Sequence, residues 1–117
     1  MEKQKKNTLA KGLEQEQKAL AFLENKGYTL LAQNYRYKKG EIDLIVQKEN
    51  WIVFVEVRFR ASSEFGYPEQ TISASKKKLL LQTAEQYTYE TGWQGNIRFD
   101  VVAILGDTLE HFEDAIN

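Results

Sequence analysis

Glu41-Ile42-Asp43-Leu44-Ile45-Val46-Gln47 and Trp51-Ile52-Val53-Phe54-Val55-Glu56-Val57-Arg58-Phe59-Arg60 are two strongly β-prone runs, separated only by Lys48-Glu49-Asn50. Branched and aromatic side chains at this density suit pleated strands, and a short polar gap between two such runs reads as a hairpin. With a period of two, Glu41 and Asp43 point to one face of the first strand and Ile42, Leu44 and Val46 to the other. In the second strand Ile52, Phe54, Glu56, Arg58 and Arg60 share a face, opposite Trp51, Val53, Val55, Val57 and Phe59. Glu56 therefore interrupts the apolar run Ile52 to Val57. A lone carboxylate there is costly to bury unless a cation or hydrogen bonds satisfy it.

Upstream, residues 1–7 form a basic arm with Lys3, Lys5 and Lys6 and no apolar stretch behind it, so it is not expected to act as a signal peptide. Residues 8–117 are read as one domain. Leu9, Leu13, Leu20 and Leu23 fall on one helical stripe that Gly27 ends, giving a first helix over about Thr8 to Lys26. Glu16 lies in the middle of that stripe. Tyr28 to Leu31 is a short β-rich entry, and Asn34 to Gly40 ends in a turn. Downstream of the hairpin, Ala61 to Gln70 reads as a loop, and Ser73 or Ser75 caps a second helix running to about Glu90. Leu80, Ala84 and Tyr87 give that helix an apolar face, and Thr91, Gly92 and Gly95 end it. A strand Ile97 to Leu105 turns at Gly106 and Asp107 into a terminal segment holding His111, Phe112, Ala115 and Ile116. This order of elements predicts a mixed α/β or α+β layered fold with helices packed on a small sheet.

Composition narrows the chemistry. The chain of 117 residues is 42% hydrophobic and 28% charged, with one Pro and seven Gly, as a folded domain without a membrane-spanning segment would be. It has no Cys and a single His, which excludes a disulfide framework, a thiolate zinc site, a cysteine nucleophile and a His-rich metal site. Cysteine-free composition fits a reducing compartment, and the expected location is the cytoplasm. The net charge of −1 conceals an asymmetry: residues 1–60 carry 12 basic and 8 acidic side chains, residues 61–117 carry 4 and 9.

What remains is carboxylate chemistry. The hairpin can bring Asp43 beside Glu56, and two acids held together raise a pKa or demand a cation between them. Without Cys and nearly without His, that cation is a hard, oxygen-seeking ion, Mg²⁺ or Mn²⁺. Arg58 puts a fixed positive charge on the same face, and Glu16 becomes a third acid if the first helix packs over the hairpin. Each residue also has a plainer role open to it: Glu16 at the edge of its helix contact, Glu56 paired with Arg58 or Arg36, Asp43 capping a turn. Basic and aromatic residues gather nearby in Tyr35, Arg36, Tyr37, Lys38 and Lys39, in Arg58 and Arg60, and in Lys76, Lys77 and Lys78 in the first turn of the second helix. Three lysines at a helix N-terminus oppose its dipole, a cost that an approaching phosphate relieves. Such a set suits a nucleic acid, with Tyr35 or Tyr37 for stacking.

Glu41-Ile42-Asp43-Leu44-Ile45 followed by Val53-Phe54-Val55-Glu56-Val57-Arg58 resembles the signature of the YraN-type uncharacterised protein family, grouped with restriction-endonuclease-like nucleases. Gly12, Glu16, Ala19, Gly27, Asn34, Gly40, Phe65-Gly66, Pro68-Glu69, Lys76, Ala84, Tyr87, Arg98-Phe99-Asp100, His111 and Ala115 agree with it in order. The resemblance implies a restriction-endonuclease-like three-layer fold with a PD-(D/E)XK layout. Asp43 and Glu56, with the Val57 carbonyl, would hold the ion, and Glu16 is similar to the helical acid of archaeal Holliday-junction resolvases. It further implies DNA, branched or linear, as partner, phosphodiester hydrolysis as activity, and a homodimer. Arg36, Lys38, Lys39, Arg60, Lys76 and Lys77 would hold the backbone. Two positions depart from the pattern: Gln15 stands where Gly is usual, and Arg58 stands for the motif's Lys, which a guanidinium cannot replace as a base. A catalytically inactive nucleic-acid-binding protein on the same fold is the alternative.

Overall fold

The computed structural model describes residues 2–62 and 72–116, with side chains from Gly12 onward. Helix α1 (Glu2–Asn25) leads into strands β1 (Thr29–Tyr37), β2 (Gly40–Lys48) and β3 (Trp51–Arg60). Helix α2 (Ala74–Thr91) follows, then β4 (Asn96–Leu105) and β5 (Thr108–Phe112). The strands form one sheet in the order β1-β2-β3-β4-β5, antiparallel except where β3 and β4 run parallel. A parallel neighbour obliges the chain to return to the end it started from, and α2 is the element that carries it back.

Each face of the sheet carries its own apolar cluster, which makes three layers. Ala19, Leu20 and Leu23 of α1 pack on Leu44, Val46, Val53, Val55, Val102 and Ile104. Leu80 and Ala84 of α2 pack on Ile42, Ile45, Ile52, Phe54, Phe99 and Val101 on the opposite face. The β3 alternation is as the sequence predicts: Val53 and Val55 face α1, Ile52 and Phe54 face α2. So is the second helix. The Ser73 hydroxyl accepts the Lys76 amide at 3.1 Å, and Gly92, at φ 68°, closes the C-terminus in the left-handed conformation that glycine adopts at least cost.

Three elements differ from expectation. The first helix begins at Glu2, and among its described side chains burial starts at Gln15: Gly12, Leu13 and Glu14 are exposed, Leu13 at 52%. Strand β1 continues through Tyr37 and meets β2 across a two-residue turn at Lys38-Lys39, so the tyrosine-rich segment is strand, not loop. The terminal segment contains a fifth strand, paired with β4 from Val101↔Phe112 to Leu105↔Thr108. Most of the expected loop at Ala61 to Gln70 lies outside the described residues. None of the described helices is long and apolar enough to cross a membrane.

Two contacts fix the frame around the hairpin. Gly40 sits so close to α2 that a Cβ there would lie 2.0 Å from Thr83 Oγ1 and 2.9 Å from the Leu79 carbonyl oxygen, so only glycine lets the strand start at this point. At the far side of the sheet, fully buried Asp100 accepts from Arg98 Nε (2.8 Å) and Nη2 (2.9 Å), from His111 (2.7 Å) and from the Asp114 amide (3.0 Å). Burial pushes its pKa up, but the bonds from His111, Arg98 and Asp114 outweigh that and hold it below the usual carboxylate value. Lys26 Nζ stands 3.0 Å from His111 Nδ1, so Nδ1 accepts and the Nε2–H donates to Asp100. The single histidine thus ties β5 and the turn that follows α1 to β4.

Candidate functional site

The two strands of the central hairpin do not stay paired to their ends. Pairing of β2 with β3 stops at Leu44↔Val55, short of Asp43 and Glu56. From Leu44 to Val46 the side chains alternate regularly, which assigns Ile42 to the α1 face; Ile42 instead packs in the α2-side cluster. The expectation that Ile42, Leu44 and Val46 share a face is therefore corrected, and the reversal falls on Asp43. Strand β1 bends at the same level: it pairs Gln33↔Leu44 and Tyr35↔Ile42, but Asn34 between them adopts φ 52°. Asparagine is one of the few residues that enters this left-handed region readily, so a polar residue inside a β-prone run marks the bend.

The opening is filled by carboxylates. Along β3, alternate residues present their N–H and C=O to the same neighbour, so Val57, like Val55, points towards β2. Because β2 has turned away, the Val57 amide donates instead to Asp43 Oδ2 at 2.8 Å. The Val57 carbonyl projects from the same strand edge. Glu56, only 6% exposed, stands next to Asp43 and is met from α2 by Lys76 Nζ at 3.1 Å. Burial, then the charge of Glu56, pushes the Asp43 carboxyl up to about 8; the Val57 amide opposes this, Glu16 adds to it, and a hydrogen bond with Glu56 completes it. From α1, Glu16 is held by Asn34 Nδ2 at 3.0 and 3.3 Å and by Gln33 Nε2 at 3.3 Å. Asn34 also donates to Glu41 Oε1 at 3.2 Å, and Arg36 lies 3.5 Å from Glu41.

Asp43 and Glu56 line two cavities, one under each helix. The cavity on the α2 side, about 400 Å³, is lined also by Lys39, Ser73 and Lys76. The one on the α1 side, about 360 Å³, is lined by Gln15, Glu16 and Val57. Among the described residues no three acidic or imidazole side chains form a complete ligand group, since Glu16 is turned onto Asn34. Mg²⁺ does not need one. It binds through one or two carboxylates and keeps several waters, and a close acid pair with one raised pKa is the donor set such an ion relieves.

The remaining sequence-predicted residues are less concentrated. Arg58 is half-buried on the face of β3 that carries Glu56. Lys39 lines the α2-side cavity, and Lys77 is half-buried on α2 beside Lys76. Lys38 lies over the Tyr37 ring, 5.3 Å from its centroid, in a separate cavity of about 400 Å³ with Gln82, Glu85 and Tyr89. Arg60 is exposed at the end of β3. Tyr35 packs edge-on against Tyr87 and donates to Glu90 at 2.9 Å, so its ring is taken up in packing; burial and Glu90 push its pKa up to about 12. Sequence reasoning missed Asn34 as the residue that positions Glu16, although a lone Asn between β-formers was the visible sign. It also missed that Lys76 would reach a carboxylate.

The sequence profile of the uncharacterised protein family UPF0102 matches residues 15–104. A UPF0102 protein of Cytophaga hutchinsonii is 48% identical over 101 residues, covering 86% of this chain and 89% of that one. One of Sulfurihydrogenibium is 45% identical over 103 residues, covering 87% and 90%, and one of Persephonella marina is 38% identical over 108 residues, covering 92% and 93%. The match spans both acids of the hairpin and the helical Glu16.

Proposed function

The chain belongs to the uncharacterised protein family UPF0102, and from its carboxylate site we propose a metal-dependent nuclease-like protein that binds DNA and hydrolyses phosphodiester bonds. One observation carries this reading: half-buried Asp43 and buried Glu56 stand side by side where the β2–β3 ladder opens, with Asp43 pushed up to about 8. Burying two like charges together weakens a fold, and a cation between them removes the cost. A divalent ion held by Asp43, Glu56 and the Val57 carbonyl supplies, when bound, Lewis acidity toward a phosphoryl oxygen and a water of lowered pKa.

The chain's own residues do the rest. The Val57 amide fixes the Asp43 carboxylate in the opening. Asn34 holds Glu16 at the α1-side cavity, near enough for its charge to be felt at Asp43. Lys39 and Lys76 line the α2-side cavity and attract a phosphate backbone there. Arg58 carries a permanent positive charge that suits stabilisation of a developing negative charge but not proton removal.

The test is incubation of linear and four-way-branched DNA with the protein and Mn²⁺ or Mg²⁺, beside Asp43→Asn at equal purity, with binding followed by fluorescence anisotropy. Salt-sensitive binding with cleavage by the native protein alone is the expected result. Equal cleavage by both proteins places the activity elsewhere, and absence of any DNA binding overturns the reading. Binding without cleavage supports the alternative of a non-catalytic DNA-binding protein.

A further inference from the structure

Gln15 is the buried polar side chain that neither the fold nor the proposed function uses. It is 7% exposed, and its amide oxygen Oε1 is buried without a hydrogen-bond partner. Such an oxygen has given up water and received nothing, and native proteins keep one only where an ion, a water or a catalytic task takes it. Position 15 did not need a polar group for the helix, since a leucine or alanine propagates α1 as well or better. Its location gives the reason: Gln15 lines the α1-side cavity together with Glu16, Asp43, Glu56 and Val57.

The two cavities that share Asp43 and Glu56 differ in charge. Lys39 and Lys76 line the α2 side, and Lys76 Nζ lies 3.1 Å from Glu56. None of the described residues lining the α1 side is basic, while Glu16 adds a third acid there. Neutral amide oxygens are ordinary ligands of hard cations and ordinary acceptors for their bound water. We propose that Gln15 is an ion-positioning residue: its amide oxygen takes a divalent cation, directly or through a cation-bound water, on the α1 side of the carboxylate pair. The α2 side is then left for the anionic substrate. This rests on the reading of Asp43 and Glu56 as an ion site and adds to it a ligand from α1 and a side of approach.

The measurement is Mn²⁺ binding to the full chain without nucleic acid, followed by loss of the free-ion EPR signal, for the native protein, Gln15→Met, Gln15→Glu and Asp43→Asn, with ion-free melting curves for each. Methionine keeps the length and removes the acceptor; glutamate keeps the oxygen. The expected result is at least five-fold weaker Mn²⁺ binding for Gln15→Met with a melting temperature equal to or above native, and native or tighter binding for Gln15→Glu. Native-strength binding by Gln15→Met, with Asp43→Asn binding abolished, overturns the role of Gln15 and spares the ion site. Equal Mn²⁺ binding by the native protein and Asp43→Asn, or none by either, overturns both.

Discussion

Asp43 is half-buried and Asp100 fully buried, and the same substitution at each should move the stability of the fold in opposite directions. Asp100 is surrounded by donors, two from Arg98, one from His111 and one from the Asp114 amide, and its pKa is held below normal. Asp43 faces another acid, and its pKa is pushed from 3.8 up to about 8. A raised folded-state pKa means that between about pH 4 and 8 the unfolded chain has released a proton the folded one retains. Stability contributed by protonated Asp43 is thus complete below pH 4 and is lost as pH rises towards 8, by about 1.4 kcal/mol per unit. At pH 7 the ceiling on that loss is on the order of 4 kcal/mol, and relaxation of the site leaves roughly 2–3 kcal/mol. Asparagine does not titrate, still accepts the Val57 amide and can donate to Glu56. Asp43→Asn should therefore melt roughly 10 °C above native at pH 7 in a chelator, and by much less at pH 5. Asp100→Asn removes the charge that pairs Arg98, a loss of about 3–5 kcal/mol. Thermal melts at the two pH values decide the matter. An Asp43→Asn protein that melts no higher than native at pH 7, or whose gain is the same at pH 5, refutes the claim that the site is strained by paired acids.

Two further outcomes follow from the same geometry. Gly40→Ala should cost about 2–3 kcal/mol, because its Cβ would collide with Thr83 Oγ1; Thr83→Ala should recover part of that loss in a double-mutant cycle read by urea unfolding, and strict additivity would contradict the contact. Lys76→Met should lower ion-free stability by about 1–3 kcal/mol, because it leaves the Glu56 carboxylate, 6% exposed, without its ammonium, and should tighten Mn²⁺ binding by removing the ammonium that competes for Glu56, which a direct Mn²⁺ titration measures.

The two long β runs and the second helix with its Ser73 cap and Gly92 stop were legible because each depends on local periodicity or on one residue's conformational preference, whereas the three layers came from the family resemblance. What periodicity could not convey was the reversal at Asp43. Alternation assumes a continuous ladder, and here the ladder ends at Leu44↔Val55 while Asn34 bends the neighbouring strand. The spacing of Leu9, Leu13, Leu20 and Leu23 likewise gives a helix but not which of its residues meet the sheet, so Leu13 is exposed while Gln15 is buried. Tyr35 reads as a stacking platform in a basic segment; the position of α2, and so of Tyr87 and Glu90, is what decides that its ring is already engaged.

The arginine at position 58 shows how far a motif's spacing can stand in for geometry. By spacing, the cation that attends Glu56 should come two residues later on the same strand. In the folded chain an ammonium reaches Glu56 from Lys76, across 20 residues of sequence, because the crossover that makes β3 and β4 parallel lays the first turn of α2 along the opening. A lysine there escapes any pattern written along one strand, yet it brings the donor chemistry that a guanidinium at 58 lacks, three rotatable N–H groups on a flexible stem. It also accounts for three lysines in the first turn of a helix whose dipole disfavours them: at least one faces a buried carboxylate instead of water. An arginine at 58 is therefore no argument by itself that the site is idle, and Lys76 is the residue on which that question turns.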